Sequence, residues 1–170
     1  MERVNKAIAH WHNHSCVRFL PYDESRNIFK TVLQINYTDV PLSCESYNVG
    51  YQKDTVLVTF LGTSCTEGSI IHELGHVVGF YHEHSRIDRD DHIYVDLNKV
   101  DGGMEANFMI MDNPQPNYYG VPYDLSSIMH YNGDFIRAHD HKRSFLMGQR
   151  IGLSFLDIKL ANLGYKCSGE

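Results

Sequence analysis

His72-Glu73-Leu74-Gly75-His76-Val77-Val78-Gly79-Phe80-Tyr81-His82 is the stretch from which the rest of the chain is read. Four residues are close to one α-helical turn, so His72 and His76 leave one face and two imidazoles reach one ion. Glu73 follows His72 by a single residue. That offset turns its carboxylate aside from direct ligation but leaves it able to hold a water molecule as general base. By composition the five-residue motif arises by chance in such a chain on the order of once in thirty; adding Gly79 and His82 lowers this to on the order of one in several thousand. Gly79 has a physical role in the pattern. Without a Cβ it takes positive φ, ends the helix and turns the chain so that His82 approaches the same ion from beyond it. Three neutral imidazoles leave one position open on Zn2+, the arrangement of a catalytic rather than a structural site, where a coordinated water has a pKa of about 7. The motif therefore points to one catalytic zinc held by His72, His76 and His82, with Glu73 as base.

Outward from this stretch, Ile70, Ile71, Leu74, Val77 and Val78 recur at helical spacing, and Ser64 with Glu67 reads as a capping box for the helix they define. Upstream, Val4, Ala7, Ile8 and Trp11 predict an amphipathic helix that ends near His12-Asn13-His14. Cys16 to Leu20, Thr31 to Tyr37 and Val56 to Phe60 read as strands, the last as the sheet edge. Downstream, Val100 to Met111 predicts a short helix and Asn113 to Pro122 a loop. Ser154 with Asp157 caps a final helix that stops at Gly164. Strands first and helices with long loops afterwards give an α+β order.

Composition narrows the classes. The chain has 170 residues, 42% hydrophobic and 21% charged, the length and balance of one globular domain. Its formal net charge of -6 has no basic stripe, so nucleic acid is excluded as a partner, and no apolar run is long enough to insert in a membrane. Four cysteines form no Cys-x-x-Cys pair, which argues against a zinc ribbon and for two disulfides, in one of three connectivities, hence for an oxidising, extracellular compartment. Glu2, Arg3, Asn5 and Lys6 near the start supply no signal-peptide core, so a secretion signal is expected outside this chain. Of the remaining histidines, His10, His12 and His14 read as solvated side chains, and His84, His92, His130, His139 and His141 match no closed ligand set.

The stretch His72 to Asp90 and the later Ser127-Ile128-Met129-His130-Tyr131 together resemble the astacin family of metzincin-clan zinc endopeptidases. Cys16-Val17-Arg18-Phe19 and Gly148-Gln149-Arg150 through Ile158 extend the likeness over nearly the whole chain. The resemblance implies a two-lobed α+β domain, with a twisted mixed sheet and the active-site helix in an upper lobe of about 1–79. An irregular lower lobe of about 80–170 would carry the C-terminal helix. It also implies that Tyr131 is a displaceable ligand and oxyanion donor, that Met129 lies beneath the metal, and that Cys16 pairs with Cys167 and Cys44 with Cys65. A protein or peptide substrate would lie extended in the cleft along Val56 to Phe60. In this family Glu83 contacts a buried N-terminus supplied by a segment preceding Glu2. Without that segment Glu83 needs His84, Arg86, water or another cation. The region from Tyr131 to Gly148 is shorter than the family pattern, and Arg137, Lys142 and Arg143 are its candidates for selecting acidic P1′ residues. The competing reading is a zinc-containing but catalytically silent binding module, against which intact Glu73 and Tyr131 argue.

Overall fold

The structure, a computed structural model, describes residues 1–26, 31–41, 44–112 and 116–167. Helix α1 spans Glu2–His14 and buries Val4, Ala7 and Trp11 along one stripe, the spacing that packs a helix on a core. Its indole is wholly buried and donates to the Ile71 carbonyl at 3.1 Å, which ties α1 to the central helix. The expected strand from Cys16 to Leu20 joins no ladder among the described residues. Side chains take its backbone donors instead: Val17 N–H donates to Ser15 Oγ and Phe19 N–H to His12 Nε2.

Strands β1 (Val32–Tyr37), β2 (Cys44–Ser46) and β3 (Val56–Leu61) form one mixed sheet in the order β1-β3-β2. β1 runs parallel to β3 with Val32 opposite Val56, and β2 runs antiparallel with Cys44 opposite Leu61. This corrects the expectation that Val56 to Phe60 is the edge. β3 is the middle strand, flanked by β1 and β2, with Leu57, Thr59 and Leu61 buried on one face and a less buried face opposite. The edge beside the central helix is β2, three short residues with no apolar signature, joined to the segment before that helix by the Cys44–Cys65 disulfide.

The central helix α2 spans Glu67–Val77. Its cap is Thr66, whose hydroxyl accepts from Ser69 N–H at 3.1 Å, whereas the Ser64 hydroxyl donates to the Pro41 carbonyl. The expected Ser64–Glu67 box is therefore absent: the helix starts two residues later, and the residue three beyond the cap is Ser69. At the other end Gly79 stands at φ +104°, Phe80 N–H donates to Gly75 O and Gly79 N–H to His76 O, each at 2.9 Å. That pair of bonds is the Schellman stop, which needs a residue free to adopt positive φ.

Beyond Gly79 the chain is mostly turns. β4 (Ile93–Val95) and β5 (Ile136–Ala138) pair antiparallel beneath a second cluster that includes Val100, Phe108, Tyr123 and Met147. The helix expected over Val100 to Met111 is only a 3-10 turn at Glu105–Phe108, because Gly102 and Gly103, the latter at φ +92°, interrupt it. The expected loop from Asn113 lies outside the described residues up to position 115. Helix α3 spans Phe155–Gly164 with the Ser154–Asp157 capping box in place, and Ala161 packs into the same core as α1 and α2. A disulfide joins Cys16 to Cys167, so both pairings implied by the resemblance are present.

Candidate active site and metal centre

α2 carries His72 and His76 with ring centroids 4.8 Å apart, and the Gly79 turn brings His82 to 4.7 Å from His76 and 5.3 Å from His72. His72 Nδ1 lies 2.8 Å from Ile128 O and His76 Nδ1 2.8 Å from Phe80 O. A carbonyl only accepts, so both rings carry their hydrogen on Nδ1 and present an Nε2 lone pair. One ligand atom from each histidine falls in a set within 4.8 Å, and His76 Nε2 lies 3.2 Å from His82 Nε2. Two imidazoles on tetrahedral zinc at bonds of about 2.1 Å are separated by about 3.4 Å. The three residues fit that ion. Burial, with lesser repulsion from neighbouring positive groups, pushes His72 and His82 well below the usual imidazole range and lowers His76. All three are thereby kept in the neutral form that ligates.

Glu73 lies between the two helical histidines in sequence. Burial raises its carboxyl to about 7 against hydrogen bonding from Ser46 and the charge of Arg150, and its buried Oε2 has no hydrogen-bond partner among the described residues. Ser46 sits on the edge strand β2 and also donates from its hydroxyl to the Glu73 carbonyl at 3.2 Å. The sheet edge thus holds the residue read as base.

Beneath the histidines runs the turn from Ser127 to Tyr131. Asp157, at the start of α3, accepts from Ser127 Oγ at 2.7 Å and Ile128 N–H at 2.8 Å. Met129 is buried, and its Sδ lies 2.7 Å from where a Cβ on Gly75 would stand, so α2 rests on the methionine through its glycine. Tyr131 follows, its ring centroid 4.4 Å from that of His82 and 5.9 Å from that of His72. Burial raises its phenol, with the Glu73 charge adding to the effect. Glu83 finds Arg86 Nη1 at 3.4 Å and Asp124 N–H at 2.8 Å, yet burial still pushes it up to about 8. It borders a cavity of about 340 Å³ lined also by Tyr118, Asp157, Leu160 and Tyr165.

The cation that faces this site was not among the expected ones. Arg150 stands 5.8 Å from the Tyr131 ring centroid, and its Nη1 donates to Ile128 O at 3.0 Å and His130 O at 3.2 Å. Burial lowers its pKa, while the charges of Tyr131 and Glu73 oppose the shift. Arg137, Lys142 and Arg143 are instead exposed: Arg137 is on β5 opposite Tyr94, and Arg143 pairs with Asp140. Arg150 is placed by a backbone contact, since a Cβ on Gly68 would stand 1.8 Å from the Arg150 carbonyl oxygen. No side-chain pattern announces such a contact. Two other histidines, His84 and His130, join no ligand set among the described residues and are wholly buried.

These features, the helix-borne pair and the turned third imidazole with Met129 packed under the helix, are a three-histidine site of the class that holds one zinc ion in metallopeptidase domains. The model of the Astacin peptidase family matches residues 1–166, and the chain belongs to that family. It is 35% identical over 179 residues to Nematocyst expressed protein 6 of Nematostella vectensis, covering 99% of this chain and 60% of that one. It is 36% identical over 174 residues to Bone morphogenetic protein 1 of Xenopus laevis, covering 95% of this chain and 24% of that one. Among solved structures it is similar to High choriolytic enzyme 1, a hatching enzyme zinc-protease from Oryzias latipes, with TM-score 0.83 and 26% identity over 98% of this chain and 82% of that one. The chain thus spans less than two thirds of the curated relatives named here. No helix among the described residues is long and apolar enough to cross a membrane.

Proposed function

We propose that this domain is a secreted endopeptidase that hydrolyses internal peptide bonds of proteins. The observation that carries the reading is Glu73, a buried carboxyl whose Oε2 has no hydrogen-bond partner among the described residues, one residue from a ligand of the three-imidazole site. A carboxylate so placed can take a proton from water and return it to a leaving group. Zinc held by His72, His76 and His82 supplies Lewis acidity toward the scissile carbonyl and the attacking water. Glu73 takes the proton of that water and passes it to the leaving amine. Tyr131 donates its phenolic hydrogen to the oxyanion of the tetrahedral intermediate, and its phenol would serve in the resting site as a further ligand. Substrate adds as an extended strand to the free edge of β2, whose Ser46 already contacts Glu73. Arg150 faces the site as a partner for an acidic side chain at P1′. Two disulfides support an oxidising, extracellular setting.

The test is to incubate the zinc-loaded chain with a denatured protein and with a simple ester, with and without a chelator. Internal fragments that vanish with chelator and return with zinc are expected. Zinc binding without cleavage would replace this reading with the silent module, and ester turnover alone with a non-proteolytic hydrolase.

A further inference from the structure

His84 and His130 are wholly buried histidines that take no part in the chemistry above. Each spends both ring nitrogens on hydrogen bonds, and each flanks the same residue. His84 Nε2 lies 3.0 Å from the Asn107 carbonyl, which only accepts, so Nε2 carries the hydrogen and Nδ1 is free to accept from Tyr131 N–H at 3.4 Å. His130 has the opposite tautomer. Its Nδ1–H donates to the Tyr131 carbonyl at 2.6 Å, and its Nε2 accepts from the Tyr123 hydroxyl at 2.8 Å. His92 stacks on the Tyr123 ring at 4.5 Å and holds that donor in place. Both halves of the Tyr131 backbone are thus fixed by neutral imidazoles anchored to different parts of the chain, the 3-10 turn at Glu105–Phe108 and the Tyr123 segment. The Tyr131 hydroxyl, by contrast, is hydrogen-bonded to no group among the described residues.

We propose that His84 and His130 are positioning residues that pin the Tyr131 backbone, so that its phenol alone moves between the metal and the substrate. A displaceable ligand needs this division: a mobile backbone would smear the phenol over many positions, and misplacement by about 1 Å costs on the order of 100-fold in rate. The inference rests on Tyr131 reaching the metal, and the experiment separates the two claims.

The zinc is exchanged for Cu2+, and the phenolate-to-copper charge-transfer absorption is recorded beside kcat and KM of the zinc form. Tyr131→Phe must abolish the absorption; if it does not, Tyr131 is not a ligand and the proposal falls with that reading. With this satisfied, His84→Leu and His130→Leu are expected to bind one metal per chain, to weaken or shift the band, and to lower kcat about 10-fold or more with KM little changed. His130→Asn, which restores a donor near Nδ1, is expected to recover most of both. Band and kcat unchanged in both leucine variants would overturn the proposal. If the leucine variants fail to fold, Tyr123→Phe decides, because it removes only the hydroxyl that anchors His130 Nε2 and leaves both rings in place. A weakened or shifted band then supports the pinning, and an unchanged band overturns it.

Discussion

Arg150 and Glu73 illustrate how differently two residues of one site are written in a sequence. Glu73 is legible because it stands at fixed spacing from ligands on the same helix, and helical geometry translates that spacing directly into position. Arg150 is not, because it reaches the site through the close approach of Gly68 to its own carbonyl oxygen, a contact between segments far apart in the sequence. Arg137, Lys142 and Arg143 are the cations that the sequence offers for this role, yet all three are exposed, Arg137 on β5 and Arg143 paired with Asp140. Arg150→Ala is therefore expected to erase discrimination between acidic and neutral P1′ peptides, and Arg150→Glu to reverse it, each by about 10-fold or more in kcat/KM. The measurement is a matched pair of peptides differing only at P1′; an unchanged ratio would remove Arg150 from specificity. Arg137→Ala is expected to leave the ratio as it is.

The helices were legible where their ends are chemically marked, as at Gly79 and at the Ser154–Asp157 box. β2 was not, because Cys44, Glu45 and Ser46 are too few to show a periodicity, and the order of strands is a long-range property that local pattern does not encode. Asp157 exceeds its role as a cap: it also accepts from Ser127 Oγ and Ile128 N–H, linking α3 to the turn beneath the histidines. Asp157→Asn turns an amide donor toward groups that themselves donate, and unfolding in denaturant is expected to show a loss of about 2–4 kcal/mol. A loss under about 0.5 kcal/mol would mean that the turn holds itself. α1 carries a pH-dependent contact. Leu153 N–H donates to His10 Nε2 at 3.0 Å, and burial, with the nearby His14 adding, lowers His10 below its ordinary 6.5 while Glu67 opposes. The unfolded chain therefore takes up this proton first, and stability is lost as pH falls through 6.5 toward the lowered value. His10→Gln keeps an acceptor but cannot titrate. Its melting temperature is expected to fall less than that of the wild type as pH is lowered below 6.5; parallel curves would refute the contact as the cause.

Across the whole molecule the two disulfides close loops of very different length, with separations of 151 and 21 residues. In the chain-entropy model they contribute roughly 5 and roughly 3 kcal/mol, so replacing Cys16 and Cys167 together by Ser is expected to lower stability more than replacing Cys44 and Cys65. Equal losses would point to native contacts rather than loop entropy. The first pairing joins the end of α1 to the end of α3, and the second ties the edge strand bearing Ser46 to the helix bearing Glu73. Both serve one arrangement, in which neutral imidazoles and an uncharged-to-charged carboxyl share a single buried site. Glu73→Gln tests that arrangement most directly, by zinc stoichiometry and cleavage of a denatured protein measured on the same preparation. One zinc per chain, an unchanged melting temperature and a kcat reduced about 1,000-fold or more are expected. Cleavage at the wild-type rate by a Glu73→Gln chain that still holds its zinc would contradict the assignment of Glu73 as the base.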